Sequence, residues 1–374
     1  MDYDCLMAYN WQQGDWPNFT FDLSTLEDLL YELAERLGKL EGLMKALPED
    51  ARVENAIEMM VIEALKSSAI EGEILSHVDV MSSIRNNLGL TSPPLPVPDK
   101  RAEGIGQLMV HIRQTFVKDL SEAMLFEWHR DLLSFDTSKL IGAWRTHHEP
   151  MQIVSGRIDR PNIHFEAPPS AVVPSEMARF IEWFNKTAPG QRDEIKIPAV
   201  RSAIAHIYFE TIHPFEDGNG RIGRAISEKA LFQGHGRPLL LSLSKAIESK
   251  RSEYYAALQN AQRSNEITSW IEYFLNVILN AQRDAEEQIE FTLKKAHLFN
   301  KHRDRLNERQ LKVIRRMLDE GPGGFEGGMS AQKYIKIAKT SRATATRDLQ
   351  DLVKKNIFSQ HGGGHSTHYE LELG

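Results

Sequence analysis

Twelve consecutive residues, His213-Pro-Phe-Glu-Asp-Gly-Asn-Gly-Arg-Ile-Gly-Arg224, constrain the fold of this chain more than any other stretch. They lie between two helical patterns. Val200, Ile204, Ile207 and Thr211 form one apolar stripe before them, Pro214 suits a helix end, and Ile222, Ile226 and Ala230 begin a second stripe. The motif is therefore a helix–loop–helix junction. Gly218-Asn-Gly220-Arg-Ile-Gly223 also matches the dinucleotide fingerprint G-x-G-x-x-G, but that fingerprint needs a strand before it inside a βαβ unit. A helix precedes it here, so the dinucleotide reading is set aside. The Walker A pattern is absent as well.

The residue types in this junction suit phosphate chemistry. Gly218 and Gly220 allow positive φ and close approach of backbone to a ligand. The free N–H groups at the start of the second helix, with its dipole, make an anion site suited to a diphosphate. Arg221 and Arg224, three residues apart, share a face of that first turn and can each grip a phosphate. Asp217 can hold Mg²⁺, which typically bridges one carboxylate and phosphate oxygens. His213 is placed to take a proton from an attacking hydroxyl. A helix stop followed by a glycine turn would leave both arginines and the aspartate unexplained.

The segment resembles the signature of the Fic family, His-Pro-Phe-x-Asp/Glu-Gly-Asn-Gly-Arg-x-x-Arg, at every fixed position. The resemblance extends over roughly residues 100–290 and implies a helical core with a small β-flap. It also implies transfer of AMP from ATP to a hydroxyl of a target protein. Carried over, His213 deprotonates a Ser, Thr or Tyr that attacks the α-phosphate in line, and pyrophosphate leaves. Asp217 holds Mg²⁺ against the α- and β-phosphates, and Gly218, Asn219 and Gly220 cradle the β-phosphate. Arg221 helps bind the phosphates, Arg224 takes the γ-phosphate, and Ile222 and Gly223 complete the nucleotide-binding run. The segment Met151 to Gly156, with Val154, Ser155 and Gly156, is similar to the flap that holds the target by strand pairing. Tyr255, beside Tyr254, and Gln262 fall in a segment that lines the adenine pocket in the family. Removal of AMP from a modified target at the same site is the alternative chemistry.

Ser67-Ser-Ala-Ile-Glu71-Gly72 resembles the family's inhibitory pattern, Ser/Thr-x-x-x-Glu-Gly/Asn. Of the five Glu-Gly pairs in the chain, only this one has a hydroxyl residue four positions earlier. The resemblance implies that Glu71 pairs with Arg224 and occupies the place of the γ-phosphate.

Around these motifs the expected fold class is mainly α: a Fic-type helical core with a small β-hairpin flap, plus a C-terminal winged-helix domain. Ser24 and Glu27 form a capping-box pattern, followed by Leu26, Leu30, Leu33, Leu37, Leu40 and Met44 in a helix ending near Pro48. The same spacing would serve a coiled-coil seam, so a homodimer interface is the alternative to packing within the chain. A second helix is expected over about 53–71, with Gly72 placed to end it. Ser92-Pro-Pro-Leu-Pro-Val-Pro98 reads as an extended linker and a first boundary. Residues 101–290 read as helical except for a hairpin within 150–169, with Ile163-His-Phe165 as the returning strand. The tail reads as a helix over 307–319, a glycine-rich loop over 321–328, helices over 330–338 and 341–355, and a hairpin over 357–371. That is a winged-helix plan. The expected domains are 1–98, 99–290, a connecting helix over 291–306, and 307–374.

Charge is uneven along the chain. From Lys301 onward there are 14 Lys and Arg against 9 Asp and Glu, a net of +5, and the totals of 45 and 52 leave 31 against 43 before it. Any contact with DNA therefore belongs to the tail, where Arg342, Arg347, Lys354 and Lys355 lie on the last helix and His361, His365 and His368 in the wing. A DNA-binding regulator using the nucleotide site as a sensor is the alternative function. The single Cys5 excludes an intramolecular disulfide, the N-terminal residues lack a signal-peptide pattern, and Glu272 and Asn276 interrupt the apolar run Trp270 to Leu279. A cytoplasmic protein without a membrane span is expected.

Overall fold

The computed structural model describes residues 8–136, 140–157 and 160–373, and for residues 155–157, 160, 161, 303 and 365 the backbone alone. Cys5 lies outside the described residues, as do the side chains of Ser155 and His365. The protein is mainly helical, and its described strands form two two-stranded antiparallel sheets. The first helices are α1 (Glu27–Ala46), α2 (Glu49–Ile70), α3 (His77–Asn87), α4 (Lys100–Thr115) and α5 (Glu122–Leu133). A hairpin of β1 (Gln152–Arg157) and β2 (Arg160–Glu166) follows. Then come α6 (Val173–Lys186), α7 (Pro198–Ile212), α8 (Asn219–His235), α9 (Leu243–Ser249), α10 (Arg251–Ala261) and α11 (Thr268–His302). The last elements are α12 (Glu308–Leu318), α13 (Ala331–Ala338), α14 (Arg342–Lys354), β3 (Phe358–His361) and β4 (His368–Leu371). The chain divides into two compact units, Met1–Gly38 with Val53–Gln282, and Lys39–Arg52 with Arg283–Gly374.

In the first unit α7 is the central helix. Every residue from Ala199 to Ile212 is buried, so the helix carries apolar residues all round rather than on one stripe. α8 packs along it, with Ser202 Oγ donating to Ser227 O at 2.8 Å. Trp270 at the start of α11 donates to Ala203 O at 2.8 Å.

Several local expectations change. The Ser24–Glu27 capping box does not form: Ser24–Leu26 is a 3₁₀ turn, and Asp22 Oδ1 accepts from Ser24 N at 2.9 Å. Leu26, Leu33, Leu40 and Leu47 are buried within the chain, so the seam of α1 packs there. α2 ends at Ile70, two residues before Gly72, whose φ of 85° suits glycine. The extended stretch 92–98 lies inside the first unit and is tied down, because Asn86 exchanges two 2.8 Å hydrogen bonds with the backbone of Leu95.

The second unit has its own core, which includes Val313, Ile314, Met317, Tyr334, Ala345, Leu349, Leu352, Ile357, Phe358 and Tyr369. Its β3–β4 hairpin gains a third contact where Met329 bridges Tyr369. α11 runs unbroken to His302, through most of the segment expected as a separate connector. No helix among the described residues is long and apolar enough to cross a membrane.

Candidate active site

His213 ends α7 in a left-handed conformation, φ 50° and ψ 60°, with its N–H donating to Phe209 O at 3.0 Å. A non-glycine residue held there costs on the order of 1–2 kcal/mol. Arg145, fully buried, supplies the restraint. Its Nε donates to His213 O at 2.8 Å, its Nη2 to Ile212 O at 3.2 Å and Pro168 O at 2.5 Å, and its Nη1 to Ser170 Oγ at 2.8 Å. Burial brings the Arg145 guanidinium down to about 10. Nothing in the spacing of the sequence marks this residue, because its partners are mostly backbone carbonyls.

Side chains also shape the loop that follows. Asn219 accepts from Phe215 N at 2.9 Å and donates back to Phe215 O at 2.8 Å, closing the turn. His129 stacks on Phe215 at 4.1 Å, accepts from Gly142 N at its Nδ1, and places Nε2 3.1 Å from Asp217 O. Since Nδ1 accepts, Nε2 carries the hydrogen and donates. Burial lowers the His129 pKa, in keeping with this neutral form. Gly218 has φ 82°, and the first bond of α8 runs from Ile222 N to Gly218 O, so the N–H groups of Asn219, Gly220 and Arg221 have no acceptor within the helix.

Arg221 and Arg224 are 3% and 2% exposed. Buried guanidinium groups require partners. Arg221 Nη1 donates to Glu73 Oε2 at 2.9 Å, and its Nη2 stands 3.6 Å from Asp217 Oδ1. Arg224 Nε donates to Ser67 Oγ and its Nη2 to Ser67 O, both at 2.9 Å, and Nη2 also reaches Glu71 Oε1 at 2.8 Å. Burial alone would lower the Arg224 pKa, but Glu71 with Tyr254 and Glu210 outweighs it and the net direction is upward. A Cβ on Gly220 would fall 2.3 Å from Glu71 Oε1, so only glycine lets the carboxylate come this close. Glu71 thus lies over the start of α8, paired with Arg224. Glu73 was not anticipated.

The other expected site residues divide. Ile222 is fully buried in the core, and Gly223 faces the carboxylate of Glu210, where its Cβ would meet Oε1 at 2.2 Å. Gln262 is buried and donates to Glu210 O at 3.3 Å, a contact inside the helix packing. Tyr255 is partly exposed and donates to Ile70 O at 3.3 Å, one residue before Glu71, while Tyr254 is buried against His206 at 2.9 Å. In the hairpin Val154 pairs with Ile163, and both side chains are exposed; Ser155 and Gly156 continue the same strand.

A metal can fit at Asp217. Its side chain is 37% exposed, Oδ1 accepts from Gly218 N at 2.6 Å, and the carboxylate is a hard oxygen donor at the rim of the anion site. No group of three or more His, Cys, Asp or Glu that could hold a metal ion occurs among the described residues. A bound Mg²⁺ would therefore need phosphate oxygens and water to complete its shell.

Comparison with known proteins follows this geometry. Residues 119–231 match the model of the Fic/DOC family, and residues 9–90 match a domain of unknown function, DUF4172. A probable protein adenylyltransferase of Aquifex aeolicus is 34% identical over 99 residues, 26% of this chain and 27% of that protein. Protein adenylyltransferase Fic of Drosophila melanogaster is 23% identical over 233 residues, 60% of this chain and 43% of that protein. The chain thus spans less than half the length of either relative. Among solved structures, a Fic family protein from Desulfovibrio desulfuricans superposes with a TM-score of 0.53 at 23% identity, covering 95% of this chain and 98% of that one. Fic-1 from C. elegans gives a TM-score of 0.52 at 19% identity, covering 72% and 75%. These likenesses establish the fold.

Proposed function

We propose that this chain, whose residues 119–231 match the Fic/DOC family model, is a protein adenylyltransferase that moves AMP from ATP to a Ser, Thr or Tyr hydroxyl and is held in check by Glu71. The observation that carries the reading is the convergence of two buried arginines at one helix start, beside a histidine that ends the preceding helix. The N–H groups of Asn219, Gly220 and Arg221 with Arg221 and Arg224 bind the phosphates. His213 accepts the proton of the target hydroxyl as its oxygen attacks the α-phosphate, and pyrophosphate leaves. Mg²⁺ held at Asp217 would neutralise phosphate charge. The exposed edge of the β1–β2 hairpin suits a target segment added by strand pairing.

The brake follows from competition for one side chain. Glu71 Oε1 sits 2.8 Å from Arg224 Nη2, so a γ-phosphate and this carboxylate cannot both have the arginine. Labelled ATP with Mg²⁺ and cell lysate tests the reading. Glu71→Gly is expected to raise AMP transfer, onto itself and onto targets, by at least ~10-fold. His213→Ala in that background should abolish transfer and retain ATP binding. Absence of label with Glu71→Gly would overturn the function, and release of AMP from a labelled target by the unaltered protein would favour the reverse reaction.

For the second unit we propose a winged-helix role facing nucleic acid. The outward face of α14 carries Arg342, Thr346, Arg347, Gln350 and Lys354 and no acidic residue. Asp348 turns inward and accepts from Arg309 and Tyr334, while Asp351, its side chain 46% exposed, accepts from Gln310 and Lys355. Such a face can read base edges and phosphates in a major groove.

A further inference from the structure

We infer that Glu210 is the positioning residue of the base, holding His213 with its proton on Nδ1 so that Nε2 is free to accept the proton of the target hydroxyl. The inference rests on the proposed AMP transfer and names a second residue for it.

Both residues belong to the end of α7, three positions apart, so their side chains share a face. Glu210 Oε2 lies 3.6 Å from His213 Nδ1, with the two side chains 4% and 12% exposed. His213 Nδ1 and Glu210 Oε1 are both buried without a hydrogen-bond partner among the described residues. Unpaired buried polar atoms are rare and costly, and the acceptor nearest to Nδ1 is the other oxygen of the same carboxylate, Oε2. The separation is just beyond a hydrogen bond, and catalytic contacts commonly tighten only when substrate is bound.

The packing around the carboxylate is specific to it. Gly223 leaves the room that Oε1 occupies, since a Cβ there would stand 2.2 Å away. Gln262 Nε2 anchors Glu210 O at 3.3 Å. No Lys or Arg forms an ion pair with Glu210 among the described residues, so His213 is its direct partner. The surrounding titratable and charged groups are His206 on α7, Arg224 on α8, Tyr254 on α10 and Glu71 after α2. Burial pushes the Glu210 carboxyl up, but His213, His206 and Arg224 outweigh it and hold the group below its ordinary range. It remains a carboxylate, able to accept from Nδ1–H and to stabilise an imidazolium.

The proton and bond balance is simple. The target oxygen forms a bond to the α-phosphorus as the bond from that phosphorus to pyrophosphate breaks. The hydroxyl proton passes to Nε2, and the resulting imidazolium keeps Nδ1–H directed at Glu210. The imidazolium then returns its extra proton to solvent. Glu210 is never protonated in this sequence, as in other carboxylate–histidine pairs.

Full-length Glu71→Gly protein with and without Glu210→Gln gives the test. Expected are a fall in kcat on the order of 10²–10⁴-fold and an ATP KM within about 2-fold, with partial recovery in Glu210→Asp. An unchanged kcat would overturn the inference. If Glu210→Gln does not fold, ¹⁵N NMR of histidine-labelled Glu71→Gly protein, assigned by difference with His213→Ala, decides it. The Nδ1–H tautomer supports the inference and the Nε2–H tautomer overturns it. This readout needs no activity, so a protein that transfers no AMP would sink the proposed function while the tautomer still judged Glu210.

Discussion

Arg221 Nη1 donates to Glu73 Oε2 at 2.9 Å, so both arginines of the motif are held by carboxylates from the single stretch Ser67 to Glu73. Glu73 is more open to water than Arg221, with side-chain exposures of 23% and 3%, and it competes with a phosphate for the same guanidinium. Glu73→Gln in the Glu71→Gly background is therefore expected to tighten ATP binding by about 2–5-fold. Titration calorimetry with ATP and Mg²⁺ measures it, and an unchanged Kd would mean that Glu73 leaves Arg221 without cost. Gly223 belongs to the same scale. Gly223→Ala should lower stability by about 1–3 kcal/mol, because its Cβ would drive into Glu210 Oε1 within close-packed helices. Thermal melting of this variant beside Gly223→Ala/Glu210→Ala checks the cause. If shortening Glu210 restores none of the loss, the clash is not its origin.

At the level of helices, the sequence was most legible where one residue type settles local geometry. The apolar stripes on either side of His213 to Arg224 located α7 and α8, Gly72 marked the end of α2, and the tail's helices and hairpin were visible in its glycines and periodicity. α3 was not legible, since its buried face includes Ser82 and Ser83, and Ser83 fits against Gly106, where a Cβ would stand 2.4 Å from Oγ. Close packing through small polar residues has no hydrophobic period. Arg145 and Glu210 were missed for a related reason: their partners are backbone carbonyls or a neighbour on the same helix, and the reach from Arg145 to His213 spans 68 positions. Between α2 and α8 lies another buried group that sequence could not show. Burial, reinforced by Glu63 on α2, pushes the Glu228 carboxyl from 4.5 up to about 8, although Arg113 stands 3.7 Å away. Its folded pKa lies above its unfolded value, so its contribution is full below about pH 4.5 and is lost as pH rises to about 8. Glu228→Gln should match the unaltered protein near pH 5 and exceed it increasingly toward pH 8, by about 2–4 °C in Tm per kcal/mol recovered. A Tm difference independent of pH would show that Glu228 does not titrate in this window.

Across the whole molecule the net charge is −7, yet residues from Lys301 onward carry +5. A polyanion would thus be repelled by most of the chain and attracted by its last part, and if the proposed nucleic-acid role holds, the exposed face of α14 is where contact with a duplex is expected. The full-length protein is expected to bind a randomised pool of about 20-base-pair DNA at low salt, with affinity falling linearly in log–log against salt concentration. Each phosphate contact removed should reduce that slope by about 1, so Arg342→Ala and Arg347→Ala together should flatten it by up to about 2. Both residues lie on the exposed face of α14, so neither substitution should disturb the core around Ala345, Leu349 and Leu352. Fluorescence anisotropy over a salt series reads the slope directly. No binding at about 50 mM salt would remove nucleic acid as the partner of this unit. Binding with an unchanged slope in the double variant would detach it from α14, since a contact that survives loss of both arginines is made elsewhere on the chain.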